Sequence, residues 1–419
     1  LDLFGWFYQE IEKTRELLVE EGIELDHLIV SSTHNHEAPD TMGIWGRTAT
    51  STGYSEEYAQ HVRLQTVEVI RAAVANMETV GSFAVGAADV RDYAENGTSN
   101  LIRDSRDPIV IDPMIRAAIF RNEDGDTIAT LSHFGNHPEA MGSDNLEITS
   151  DFPYRLRTSL ETGVVYDSYT REGYGGTSIF INGSVGGLMT PLRVTVVDGE
   201  GTSFTDYTFE RNAAMGKVMA EIAMDAIDQA TPAEDFSLSL SANVFNLPVE
   251  NFGFQAMFLT GLIPRELYDY DPDQILDEDN LPYVRTEVAH LKVGPLSLMT
   301  VPGEIFPEVV IGGYDGSYVG DPNKTVINPD NPNPPDLSQA PQGPYLAEKI
   351  PSEHPWIVGL GNDELGYFVP KYDFQLDDRL PWFDSPEGDH YEETRALGVD
   401  TVELITTEID KILEWEESN

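Results

Sequence analysis

The 419-residue sequence contains no cysteine. Disulfides and thiolate metal ligands are therefore excluded. Any bound metal has to be held by His, Asp, Glu, Tyr or carbonyl oxygen. Cationic residues are scarce: 25 Lys and Arg stand against 73 Asp and Glu, for a formal net charge of -48. So acidic a chain argues against nucleic acid or an anionic membrane as a partner, because both are polyanions. No apolar run approaches the roughly 18 residues a transmembrane segment needs. The opening Leu1-Asp2-Leu3-Phe4 reads as the tail of a strand, which predicts that upstream residues, export signals among them, are missing.

What is present is a globular composition, 40% hydrophobic and 10% aromatic. The charge is thus not that of a disordered acidic tail. At low ionic strength such a folded state repels itself, and concentrated salt screens the repulsion. A halophilic source is the expected origin. The length allows one large domain or two ordinary ones. Neither an internal repeat nor a linker is visible. The reading is therefore a single large α/β domain, with mixed β-sheets flanked by helices.

The chain is organised around Ser31-Ser32-Thr33-His34-Asn35-His36-Glu37-Ala38-Pro39-Asp40-Thr41. The apolar run Leu28-Ile29-Val30 before it predicts a buried strand over Leu25–Val30. Residues i and i+2 of an extended chain share a side, so His34 and His36 are expected to aim two imidazoles into one pocket. Paired loop histidines are more often hydrogen-bonded polar residues than ligands, so this stretch alone does not define a metal site.

Further along, helices are predicted at Glu10–Glu21, ended by Gly22, and at Glu56–Met77, capped by Ser55. The second is expected to bury Val62, Val67, Val69, Ile70 and Val74. Strands are predicted at Val80–Val90, Ile115–Arg121 and Thr127–His133, with Phe134-Gly135-Asn136-His137-Pro138-Glu139 following the last. A helix capped by Asp151 is expected to reach Leu160. The strand Ile179–Ile181 runs into the Gly-rich turn Asn182–Pro191, which allows backbone N–H groups to approach an anion. Phe209–Ala230 and Thr401–Trp415 read as helices. Leu238–Leu247, Val284–Val301 and Trp356–Leu360 read as strands. Asn251–Leu281 reads as a lid or insertion, and Asp321–Pro344 as a long surface loop. Arg103 and Arg106 stand out in so acidic a chain. Ion pairing with neighbouring carboxylates is the plainer reading, and a substrate-facing donor the functional one.

Four strand ends carry polar candidates: His34 with His36, His137, Glu304 and Tyr367. Two imidazoles and a carboxylate suffice to hold a catalytic zinc with positions left for water and substrate. Spacing alone also allows four unrelated loop residues. In their order along the chain, however, these motifs resemble the neutral, non-lysosomal ceramidases and their prokaryotic relatives. Thr33-His34-Asn35-His36 with Pro39 is similar to that family's T-H-T-H-S-G-P, Asn136-His137-Pro138 to its second histidine motif, and Pro302-Gly303-Glu304 to its P-G-E. Gly359-Leu360-Gly361-Asn362 through Gly366-Tyr367 is similar to its G-L-x-N…Y segment. Ser150-Asp151-Phe152-Pro153 and His390-Tyr391-Glu392 fit two further blocks.

The resemblance implies Zn²⁺ on His34, His137, Glu304 and Tyr367, with His36 facing the substrate. It implies hydrolysis of an amide bond in a small-molecule or lipid-like substrate, and an exported enzyme. Residues 1–419 correspond to the catalytic domain, without the C-terminal immunoglobulin-like domain. The departures lie around the family's G-D-x-S-P-N, which here is Gly187-Leu188-Met189-Thr190-Pro191-Leu192. Thr190 takes the serine position and two leucines replace the acid and the amide. Thr190, Tyr367, His36 and Arg103 are the expected catalytic residues. A different amide or ester, or a non-catalytic metal-binding role, is the alternative that these departures leave open.

Overall fold

The computed structural model describes residues 1–48 and 50–418. Two β-sheets pack face to face, and helices cover their outer faces. The first sheet contains β1 (Val80–Asp89), β2 (Met114–Asn122), β3 (Thr127–Phe134), β6 (Thr177–Asn182) and the short β9 (Thr231–Pro232). Its order is β6-β3-β2-β1-β9, with β6 and β3 parallel and the other pairs antiparallel. Two small hairpins, β4 (Val164–Val165) with β5 (Thr170–Arg171) and β7 (Val196–Val197) with β8 (Ser203–Phe204), lie outside it.

The period-2 patterns of β1 and β2 explain why this sheet is covered on both sides. Ile115, Ala117 and Ile119 face one core together with Phe152, Leu156 and Leu160 of α3 (Asp151–Thr162) and Met215, Met219 and Ile222 of α4 (Phe209–Asp228). The intervening Ala118 joins Phe83 and Val85 in the core on the opposite face. The two helices cross closely because α4 carries Gly216 at the contact. A Cβ there would lie 2.8 Å from the carbonyl oxygen of Phe152.

The second sheet comprises β10 (Leu238–Pro248), β11 (Tyr283–Val293), β12 (Leu296–Thr300) and β14 (His354–Val358), in that spatial order. Leu296 and Trp356 point from it onto the first sheet. Val284, Val288, Met299 and Ile357 point the other way, onto Ile405, Ile409, Ile412 and Leu413 of α8 (Thr401–Ser418). The result is a four-layer α/β/β/α sandwich, a mixed α/β architecture. Each buried aliphatic side chain in such a core contributes about 1.5–3 kcal/mol.

The helices α1 (Tyr8–Glu20) and α2 (Glu56–Ala75) pack on each other through Ile11, Ala59 and Val62. Arg63 bridges them by ion pairs to Glu10 and Glu56. The expected buried face of α2 is only partly realised. Val62 and Val67 are buried and Ile70 is half-buried, but Val69 and Val74 are exposed. Shorter elements complete the chain: α5 (Phe252–Leu259), β13 (Glu304–Ile305), α6 (Pro307–Ile311), α7 (Leu346–Lys349) and β15 (Tyr367–Phe368). Among the described residues, no helix is long and apolar enough to cross a membrane.

Most predicted elements form within a few residues of the expected ends. The segment Leu25–Val30 does not become a strand. It is tied down by a reciprocal clasp instead: the Val30 amide donates to the Asn362 side chain at 2.9 Å, and the Asn362 amide donates to the Val30 carbonyl at 2.7 Å. Only Val30 of the segment is buried, so the short apolar run is anchored at its end rather than paired along its length. Asp151 is also not the cap of α3; it is the first helical residue, follows Ser150, and sits at φ 49°.

A histidine–carboxylate centre at the floor of an apolar cavity

The parallel strands β3 and β6 end side by side, and their following loops build the centre. Asn182, the last residue of β6, is the clamp. Its amide nitrogen donates to the carbonyls of Thr33 (2.8 Å) and Asn136 (3.0 Å), and its oxygen accepts from the amides of Asn136 (3.0 Å) and Gly183 (3.1 Å). All four of its hydrogen-bonding positions are filled. The His36 amide donates to the Pro138 carbonyl at 3.0 Å, which joins the two histidine loops directly.

Glu304 arrives from the other sheet. After β12, the Pro302-Gly303 turn starts β13, which pairs in parallel with β15 so that Glu304 stands opposite Tyr367. Convergence of His34 and His36 does not come from strand alternation. His34 is left-handed, with φ 64°, and Leu188, Leu360 and Asn362 nearby are left-handed as well. Such backbone strain is held in place by its surroundings and concentrates at functional sites.

The hydrogen bonds fix the histidine tautomers. Nδ1 of His34 lies 2.8 Å from the Phe4 carbonyl oxygen, and Nδ1 of His137 lies 2.8 Å from that of Met189. A carbonyl only accepts, so each Nδ1 carries its proton and donates it. The opposite nitrogens then face Glu304. Nε2 of His34 is 3.4 Å and Nε2 of His137 is 3.1 Å from Oε2 of that residue. Bare nitrogen lone pairs against a carboxylate repel unless positive charge sits among them. Burial opposes charge on His137, yet Glu304 holds its pKa above the usual value. Burial likewise opposes charge on Glu304, yet His34 and His137 hold it down to about 2. His36 is pushed well below the ordinary value by burial, then by its two histidine neighbours.

A metal ion fits this donor set. One ligating atom from each of His34, His36 and His137 lies within 4.8 Å of the other two. Tetrahedral zinc with bonds of about 2.0–2.1 Å sets its ligand atoms about 3.3 Å apart, close to the separations between Glu304 and the two imidazoles. Carbonyl bonds to Nδ1 are also the usual second shell of a metal-bound histidine. Nε2 of His36 is buried and has no hydrogen-bond partner.

The centre lies at the floor of a cavity of about 600 Å³. Phe4, Met42, Trp45, Phe254, Met257 and Phe258 supply its apolar walls. Helix α5 explains the segment read as a lid. Phe254 and Phe258 pack against the core under α8 and also line the cavity, together with Met257. Asn251 anchors it, with its oxygen accepting from the amides of Gly253 and Phe254 and its nitrogen donating to the Ala396 carbonyl. A second, polar groove of about 620 Å³ adjoins the cavity. His36, Trp45 and Glu139 belong to both.

The structure gathers His34, His36, His137, Glu304 and Tyr367 around one floor. Burial and the charge of Glu304 push the Tyr367 hydroxyl well above the ordinary tyrosine range. Thr190 is fully buried and lines neither the cavity nor the groove. Its hydroxyl donates to Oε1 of Glu139 and accepts from the Leu192 amide at 3.0 Å. Arg103 does not line the cavity either. It exchanges backbone hydrogen bonds with Thr190, and its Nε donates to the Leu192 carbonyl at 2.9 Å. The ion-pair reading holds for Arg106, which binds Asp373, Glu392 and Glu393, and not for Arg103. The Gly-rich turn does not offer its amides to an anion as a group: Gly183 and Gly186 donate to the carbonyls of Phe134 and Ile305.

Three residues at the centre were not singled out from the sequence: Glu139, Asn182 and Glu364. Glu139 stands two residues after His137, a signal available in the sequence only once His137 is taken as a ligand. Glu364 reaches the cavity with Oε1 accepting from the Gly366 amide, and burial and then Glu304 push its carboxyl well upward.

Gly186 supports Glu304 from behind. A Cβ on it would lie 2.7 Å from the Glu304 carbonyl oxygen and 2.7 Å from the Phe306 amide. Gly186→Ala should therefore displace β13 and destabilise the fold by about 1–3 kcal/mol. Urea unfolding reads the stability loss.

The fold and this centre together define an α/β/β/α protein with a candidate metal site at its strand ends. No family model matches the sequence, and no curated protein matches it. Solved structures do match the fold. The neutral ceramidase from Pseudomonas aeruginosa superposes with a TM-score of 0.66 at 15% identity, over 100% of this chain and 66% of that one. A ceramidase complexed with C2 gives a TM-score of 0.64 at 14% identity, over 100% of this chain and 67% of that one. The fold is ceramidase-like, and the chain spans about two-thirds of the length of these neighbours.

Proposed function

We propose that this chain is a zinc-dependent hydrolase that cleaves the amide bond of an N-acyl, lipid-like substrate. The observation that carries the reading is the buried cluster of His34, His36, His137 and Glu304 at the floor of an apolar cavity. The ceramidase-like fold supports the same reaction class. His34, His137 and Glu304 are the proposed metal-holding residues, and Tyr367 and His36 compete for the next position. Bound there, zinc supplies Lewis acidity and lowers the pKa of water toward about 7.

The protein's own groups do the rest. The carbonyls of Phe4 and Met189 fix the tautomers of His34 and His137, so both Nε2 atoms face the centre. Where His36 takes the metal position instead, the Tyr367 hydroxyl would donate a hydrogen bond to the oxygen on which charge develops. The walls around Phe254 and Phe258 take the acyl portion and exclude water, which strengthens every electrostatic contact at the floor. Arg103, bound to the Leu192 carbonyl, holds the loop that carries Thr190. The non-catalytic alternative has one observation in its favour: Thr190, at the family's serine position, is buried away from the cavity.

A panel of N-acyl amides and matched esters, assayed with zinc in molar salt, separates the readings. Turnover of amides bearing medium or long acyl chains, lost on chelation and restored by zinc, is the expected result. Esters cleaved with amides untouched would move the bond class. No turnover of any compound by zinc-loaded protein would leave a binding module.

A further inference from the structure

Thr190 cannot be the group that attacks or activates, as it is placed. Its side chain is fully buried, and its only hydroxyl proton is committed to Glu139. Glu139 is the residue that reaches the reaction space, for it lines both the apolar cavity and the polar groove. It is also held rigidly. It follows Pro138, its amide donates to the His137 carbonyl, and its own carbonyl accepts from the Gly142 amide, both at 3.0 Å. Thr190 locks Oε1, which leaves Oε2 turned toward His36, 3.7 Å from Nδ1. Of the other carboxylates of the cavity, Glu304 faces two imidazoles, and Glu364 binds the Gly366 amide through Oε1, keeps a buried and unpartnered Oε2, and does not reach the groove.

We infer that Glu139 is the general base of the hydrolysis and that Thr190 is its positioning residue. The assignment rests on the hydrolase reading above. Glu139 accepts a proton from the attacking water as the water oxygen bonds to the amide carbon. The carbon–nitrogen bond then breaks, and Glu139 passes that proton to the leaving nitrogen, so a carboxylic acid and an amine result. A base must stand within hydrogen-bond reach of the water it activates, and Glu139 is the carboxylate with a free oxygen at the junction of both cavities.

The test compares wild type, Glu139→Gln, Glu139→Ala and Thr190→Val, each loaded with zinc and assayed on the best amide of the panel. Glu139→Gln keeps the shape and the acceptor for Thr190. Its kcat should fall by at least about 100-fold with KM within about twofold, and its zinc content should equal that of wild type. Sodium formate should partly restore Glu139→Ala, since a small carboxylate can enter the space vacated, and should leave Glu139→Gln unchanged. Thr190→Val should lose about five- to twentyfold in kcat, again with zinc retained. Glu139→Gln with more than a tenth of wild-type kcat overturns the assignment. So does loss of zinc along with activity, because Glu139 would then be a ligand. Wild type inactive on the whole panel sinks the hydrolase reading and this assignment with it; an active wild type with an active Glu139→Gln sinks only the latter.

Discussion

Glu304→Gln should strip the chain of metal and of turnover while leaving the sandwich folded. Wild-type protein dialysed against zinc should retain about one ion per chain, and the variant close to none. The expectation follows from position. Oε2 of Glu304 is the atom that His34 and His137 both face, and an amide there carries no charge to set against the cation. His137→Ala should have the same outcome, because it removes an imidazole whose other nitrogen is already fixed by the Met189 carbonyl. Thermal unfolding supplies a readout independent of activity. A metal that binds only the folded state, at about 1,000 times its Kd, stabilises by about 4 kcal/mol. Zinc should therefore raise the Tm of wild type and leave that of Glu304→Gln unmoved. Metal retained by Glu304→Gln would remove Glu304 from the ligand set. Parallel analysis of His36→Ala and Tyr367→Phe decides between them, since the one that supplies the remaining ligand should lose zinc and the other should keep it.

The helices and strands of this fold were legible because each is written locally. Helices α4 and α8 carry long apolar faces, and β10, β11 and β12 alternate as strands do. The histidines and Glu304 were legible too, as motifs at strand ends. The geometry that joins them was not, because it is made by contacts between residues far apart in sequence. Asn182 ties Thr33 to Asn136 with side-chain hydrogen bonds that leave no periodic trace. Val30 and Asn362 clasp each other across 332 positions, so an apolar run that looks like a strand is held without a sheet. The surroundings of Thr190 were not legible for a related reason. Its type suited a nucleophile, but burial and the Glu139 contact depend on how two loops pack. Helix α5 gives the same lesson: a largely apolar octet reads as part of a lid or insertion until its surroundings, core and cavity, are known.

Arg106→Met should be the most damaging substitution outside the candidate metal centre, at about 3–5 kcal/mol. The guanidinium is buried and binds Asp373, Glu392 and Glu393 at 2.8–3.0 Å, with the Asp373 carbonyl at 3.0 Å. Through these bonds it joins the Arg103–Asp107 segment, beside the Thr190 loop, to the segment that carries Tyr391. It also lies over the ring of Phe306, two residues after Glu304. Methionine fills much of the volume but leaves three carboxylates without their cation. Stability against pH should report the change with a definite sign. Burial opposes charge on Glu393, yet Arg106 and His390 hold its pKa down to about 2 from an ordinary 4.5. That group contributes stability fully present above about 4.5 and lost as pH falls toward 2. Glu308 runs the opposite way, since burial raises it to about 8 even with Arg106 lowering it. The native state holds that proton between about 4.5 and 8, so its contribution declines as pH rises through the window. Without Arg106, the acid-side loss should shrink because Glu393 has less to lose, and the alkaline-side loss should steepen because Glu308 has lost a cation that lowers it. Adding Glu308→Gln to Arg106→Met should flatten the alkaline limb again. Urea unfolding at pH 3, 5 and 8, in constant molar salt, reads all of these changes. Equal stability of Arg106→Met and wild type at pH 5 would mean that the cluster is held by its protons and packing rather than by the guanidinium.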